Sequence, residues 1–171
     1  MPDSASEKEF LKFYDKNVAN LYRYIYFRIS SKESAQDLTS ECFFRFLRNT
    51  SDIKNPRAFL YQIARNLLVD FYRQSARQPL SLEEITDKGP EFGDIKIDLL
   101  GEVQRADELK MIKRCLNKIK QDYQEVIILR YIDELEISEI AEIIERNEGA
   151  VRVLISRALK ALRGELKNPK L

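Results

Sequence analysis

The chain has 171 residues, 29 basic and 28 acidic side chains, 44% hydrophobic residues and no histidine. That apolar content suffices for a packed core, and the missing imidazoles exclude His-based triads, imidazole general bases and His-ligated metal sites. Cys42 and Cys115 stand too far apart for a zinc or redox motif, and none of the 5 glycines builds a phosphate-cradling loop. No apolar run reaches membrane-spanning length and the first residues lack a leader-like apolar stretch, so the expectation is a soluble, cytoplasmic protein without direct membrane insertion. Neither metal nor organic cofactor is implied, and a non-enzymatic role is favoured.

In chain order, Ser6 with Glu9 reads as a capping box, followed by a helical stripe of Phe10, Tyr14, Val18, Leu21 and Ile25. A second helix is predicted over residues 33–48, burying Ala35, Leu38, Cys42 and Phe46. Asn55 and Pro56 supply an N-cap and a first-turn proline for a third, burying Leu60, Ile63, Ala64, Leu67 and Phe71. No glycine interrupts residues 1–78.

Charge then changes sign. Residues 1–78 carry 13 basic and 9 acidic side chains, residues 79–109 carry 3 and 9, and residues 110–171 carry 13 and 10. The acidic middle also holds Pro79, Gly89, Pro90, Gly93 and Gly101, which marks a linker. Beyond it, Leu109, Ile112, Leu116 and Ile119 define a fourth helix, and residues 126–131 belong to a fifth. The expected architecture is all-α: two small helical domains, residues 1–78 and 107–171, joined by an acidic linker over 79–106.

Residues 136–163 carry the most specific local pattern. Ile137, Ile140, Ala141 and Ile144 form a short amphipathic helix; a turn follows, with Asn147 as N-cap; a longer helix then buries Val151, Ile155, Ala158 and Leu162. Off that stripe lie Arg152, Ser156, Arg157, Lys160 and Arg163, placed to meet phosphates and base edges. The same spacing also suits a plain helical bundle with a solvated face.

Glu139-Ile140-Ala141-Glu142-Ile143, Gly149-Ala150-Val151-Arg152 and Arg157-Ala158-Leu159-Lys160-Ala161-Leu162 resemble the promoter −35-reading domain of bacterial sigma factors. Independently, Ala35-Gln36-Asp37-Leu38-Thr39-Ser40-Glu41-Cys42-Phe43 resembles their polymerase-binding helix, and Asn55-Pro56-Arg57-Ala58-Phe59-Leu60-Tyr61-Gln62-Ile63-Ala64-Arg65-Asn66 their −10-reading helix. The blocks stand in the family's order, and the short length points to the extracytoplasmic-function (ECF) subfamily. The chain departs from the family pattern at Lys120, Glu136, Glu145, Arg146, Leu154 and Leu159; Glu136 is a poor N-cap and Glu145 replaces a turn glycine.

What the resemblance implies is a sigma factor that binds core RNA polymerase and directs promoter recognition, melting and initiation. Its −10 contacts would be Asn55, Arg57, Tyr61, Gln62, Arg65, Asn66, Asp70, Arg73 and Arg77; arginines track phosphates, amides read base edges and rings stack on unpaired bases. The −35 contacts would be Glu148, Gly149, Arg152, Val153, Ser156, Arg157 and Lys160. Asp37, Leu38, Thr39, Ser40, Glu41, Phe44 and Arg48 would face the clamp helices of the polymerase largest subunit, with further contact to its flap region. Promoter DNA, as duplex and as melted non-template strand, and an anti-sigma factor complete the implied partners. An autonomous helix-turn-helix regulator and a helical anti-sigma-like adaptor are the rival readings.

Overall fold

A computed structural model of the chain describes residues 4–29, 31–49, 51–77 and 103–167, with the side chains of 103–109 left aside. Among the described residues there is helix and no strand. The chain divides into two compact units, Met1–Ile95 and Lys96–Leu171. The acidic stretch read as a linker falls mostly within 78–102, outside the described residues.

In the first unit, α1 (Ser4–Arg28), α2 (Lys32–Arg48) and α3 (Pro56–Arg77) pack pairwise around one core. Leu21, Tyr24, Ile25, Ala35, Cys42, Leu60, Ala64 and Leu68 meet there fully buried. Rings close the far end: Phe13 stacks on Phe46 at 4.7 Å between centroids, and Tyr14 lies 4.6 Å from Phe43. The Ser31 hydroxyl caps α2 by accepting from the Ser34 N–H at 3.2 Å. Asn55 caps α3 as expected, its Oδ1 accepting from the Ala58 N–H at 3.1 Å. The Ser6–Glu9 box is corrected: α1 already runs at Ser4, so both residues are exposed positions inside the helix rather than at its edge. Leu38 and Phe46 are half-buried while Phe43 is buried, so the core stripe of α2 is rotated slightly from the expected one.

The second unit comprises α4 (Val103–Lys118), α5 (Gln121–Ile127), a π-helical turn (Ile128–Ile132), α6 (Ile137–Ile144) and α7 (Glu148–Lys167). Residues 103–106, read from the sequence as linker, are already helical. α5 opens on exposed Gln121 and Asp122 and then packs against both α4 and α7, so that even Gln124 is buried, its amide donating to the Ile119 carbonyl at 3.0 Å; Val126, Ile127, Ile128 and Leu129 follow, all buried. Its continuation loosens to i→i+5 bonding, with the Asp133 N–H donating to the Ile128 carbonyl at 2.9 Å. Glu134 then takes a left-handed φ of 57° and turns the chain into α6.

Candidate nucleic-acid and polymerase interfaces

α7 packs one face against α4, α5 and α6 and leaves the other bare. Val151, Ile155 and Ala158 are buried against the rest of the unit, so Arg152, Val153, Ser156, Arg157, Lys160 and Arg163 are left exposed on the opposite side. The helix start is fixed by Asn147, whose Oδ1 accepts from the Ala150 N–H at 2.7 Å. Gly149 is not required by the fold, since a Cβ there would meet Asn147 Oδ1 at 3.4 Å, ordinary contact. It stands in the first turn of α7, whose N–H groups lie at the positive end of the helix dipole. Glu148 sits beside it, and its Oε2 pairs with an Arg152 guanidinium nitrogen at 3.3 Å. Val153 is 49% exposed, an apolar group among cations and the right kind of contact for a thymine methyl.

Preceding this, α6 buries Ile140, Ile143 and Ile144. Glu136 lies in extended conformation before it, and its N–H donates to the Glu139 carboxylate at 3.0 Å, which remedies a residue the sequence marks as a weak cap. Glu145, where the family pattern has glycine, ends the helix at φ 57° and ψ 46°; the Arg146 N–H donates to the Ala141 carbonyl at 3.0 Å and closes the turn.

On α3 the predicted polar stripe is present. Asn66, Asp70, Arg73 and Arg77 are exposed and Gln62 is half-buried at its start; Arg57 and Arg65 are half-buried beside it. Val69, 43% exposed within that face, was not anticipated, although its spacing of three from Asn66 places it there. Tyr61 departs from the expectation. It is 1% exposed and lies edge-on to Tyr24 at 5.2 Å, so it is a core ring and is not placed to stack on a base. Tyr72 is half-buried, its hydroxyl donating to the Arg28 carbonyl at 2.5 Å.

The outward side of α2 carries Asp37, Ser40, Glu41, Phe44 and Arg48. Glu41 pairs with Arg45 at 2.7 Å, and the Arg48 guanidinium lies 5.5 Å from the Phe44 ring centroid. Phe44 and Leu47 are 54% and 56% exposed, making an apolar strip bordered by charge. Leu47 was missed; its spacing of three from Phe44 and seven from Ser40 was the available signal. Thr39 corrects the expected set: it is 1% exposed, and its hydroxyl donates to the Ala35 carbonyl at 2.7 Å, so it faces the core. Next to it, burial pushes the Cys42 thiol up to about 12 despite nearby Arg45, and burial with the neighbouring Tyr26 pushes the Tyr22 phenol likewise to about 12. Neither group is suited to chemistry near neutral pH. Among the described residues no cluster of His, Cys, Asp or Glu fits a metal ion, and no helix is long and apolar enough to cross a membrane.

Two helical units, the second built around a helix-turn-helix with a cationic outer face, define the class. Residues 13–78 match the family Sigma-70 region 2, and residues 109–162 match Sigma-70, region 4. The chain is 33% identical to the ECF RNA polymerase sigma factor BldN of Streptomyces coelicolor over 158 residues, covering 90% of this chain and 58% of that protein. It is 28% identical to the ECF RNA polymerase sigma factor SigW of Bacillus subtilis over 165 residues, covering 86% and 83%. Its fold is like that of the sigma factor RpoE in the co-crystal structure with the anti-sigma factor NepR from Bartonella quintana, with TM-score 0.71, 20% identity, and 95% and 99% of the two chains covered. CnrH, in its complex with the cytosolic domain of CnrY, gives TM-score 0.70 at 20% identity over 96% and 91%. The chain belongs to the sigma-70 family, among its ECF sigma factors.

Proposed function

We propose that this chain confers promoter specificity on core RNA polymerase, with no chemistry, metal or cofactor of its own. The observation that carries the reading is the presence in one chain of three outward faces of different character: an apolar strip bordered by charges of both signs on α2, a polar amide-and-arginine face on α3, and a cationic one on α7. The α2 face suits a basic coiled coil such as the polymerase clamp helices, because Asp37 and Glu41 supply charge while Phe44 and Leu47 supply burial. On α3, Asn66 and Gln62 are amides able to pair with exposed base edges, flanked by arginines for the strand's phosphates, which favours a melted non-template strand. Duplex −35 DNA falls to α7, and the flap region to the second unit.

Domain roles follow the same division: residues 1–78 for polymerase and the −10 element, and residues 103–171, from the start of α4, for the −35 element, with the acidic stretch between them as linker. A chain that acts on RNA polymerase would work in the cytoplasm. That RpoE and CnrH were each crystallised with a partner supports an anti-sigma factor for this chain as well. Run-off transcription with purified core polymerase tests the reading. Specific transcripts should appear only when this protein is added. Tight duplex binding without polymerase, and no transcript with it, would instead mark an autonomous regulator; binding to neither would mark an adaptor.

A further inference from the structure

Glu148 is an odd residue to find on a face that meets phosphates. Its carboxylate stands in the first turn of α7 among exposed cations, and there it repels the polymer that the rest of the face attracts. Yet it is 50% exposed and aligned with a 59% exposed Arg152, their charged ends 3.3 Å apart. The helix dipole favours an acid at this point, and the i,i+4 spacing brings it alongside the arginine, so local helix geometry fixes the donor and acceptor side by side on the exposed face.

The separation has a counterpart in DNA. Across the major-groove edge of one G·C pair, the guanine O6 acceptor and the cytosine N4 donor are hydrogen-bonded to each other, about 2.9 Å apart. A guanidinium and a carboxylate held side by side present the complementary order, donor then acceptor. Resting on the assignment of α7 to duplex DNA, we propose that Glu148 and Arg152 act as one unit that reads a single G·C base pair of the −35 element, in one orientation. Arg152 donates to guanine O6 and N7, while Glu148 accepts from cytosine N4 and keeps one Arg152 N–H engaged, leaving the fork aimed at the base.

The four base pairs are then ranked by chemistry. C·G in the same place sets the carboxylate against O6 and the guanidinium against an amino group, so both contacts become repulsive. A·T sets the guanidinium against the adenine amino group and the carboxylate against thymine O4. T·A keeps the acceptor-then-donor order at O4 and N6, but puts a methyl group where N7 would be, and so ranks second.

The test uses full-length protein reconstituted with core polymerase and a promoter library randomised upstream of the melted region, with bound DNA sequenced. Wild type should prefer G·C over C·G and A·T by on the order of ten-fold at one position, with T·A between them. Glu148→Ala should reduce the preference at that position alone to within about two-fold, while binding to mismatched DNA rises because a repulsive charge is gone. Arg152→Ala should erase the same position, and the double variant should show no further loss there, as for two residues acting together. An unchanged profile in Glu148→Ala overturns the proposal, as does an equal decline at every position, which would mean a structural role. No upstream enrichment by wild type would read differently, because it removes the −35 assignment of α7 together with the unit built on it. Chemical denaturation of Glu148→Ala should show only the small loss expected of a first-turn acid and an exposed i,i+4 pair, with the unfolding slope unchanged, separating lost reading from lost fold.

Discussion

Glu145 holds a backbone conformation that costs an L-residue about 1–2 kcal/mol, because its Cβ crowds the following carbonyl. Glycine has no Cβ, though it gives up some of that advantage through a freer unfolded chain. Glu145→Gly should therefore raise the stability of the second unit by about 1 kcal/mol, seen as a higher midpoint in urea with an unchanged slope. Cys42 makes a pH-dependent contribution of known sign. Its folded thiol is pushed from 9.0 to about 12, so the unfolded chain loses that proton first. Stability from this group is complete below about pH 9 and falls as pH rises from there toward 12, at no more than about 1.4 kcal/mol per pH unit. Tyr22 adds the same sign from pH 10 upward. Urea melts of the first unit at pH 8.5, 9.5 and 10 should decline in midpoint, and Cys42→Ala should flatten the decline below pH 10 even though its overall stability is lower.

Within α3 the polar face and the core edge make opposite predictions from neighbouring turns. Asn66→Ala should reduce open-complex formation by about 1–3 kcal/mol if the amide makes a bidentate base contact, and leave polymerase binding and melting temperature intact. Tyr61→Ala should instead destabilise the unit by about 3–5 kcal/mol, the usual cost of emptying a buried aromatic site, and show up in thermal melts before any promoter assay. On α2, replacing Asp37 and Glu41 together by Lys should abolish core-polymerase binding with the fold preserved, since neither side chain is buried; unchanged affinity in a pull-down would move the docking face elsewhere. The elements themselves were readable because apolar residues recur at helical spacing and Asn55 and Asn147 cap where an asparagine should. Tyr61 and Thr39 were misread for a common reason: each has a polar group that suggests a surface, and each sits in the core, Thr39 with its hydroxyl satisfied one turn back along α2. The π-helical turn had no local signature, because it arises from how α5 must end before Glu134 reverses the chain.

At the scale of the whole chain, each unit has its own fully buried residues, Leu60 and Leu68 in the first, Leu116 and Leu129 in the second. Leu116→Ala should cost the second unit about 2–5 kcal/mol and leave amide exchange protection in α1–α3 unchanged. The two left-handed glutamates, Glu134 and Glu145, also bear on how such a protein can change over generations. A domain's margin is about 5–15 kcal/mol, and most substitutions reduce it. Each glutamate-to-glycine step at these turns returns part of that margin without touching α7. A lineage that takes one of them can then accept a costly exchange on the reading helix, and acquire a new promoter preference while the chain still folds.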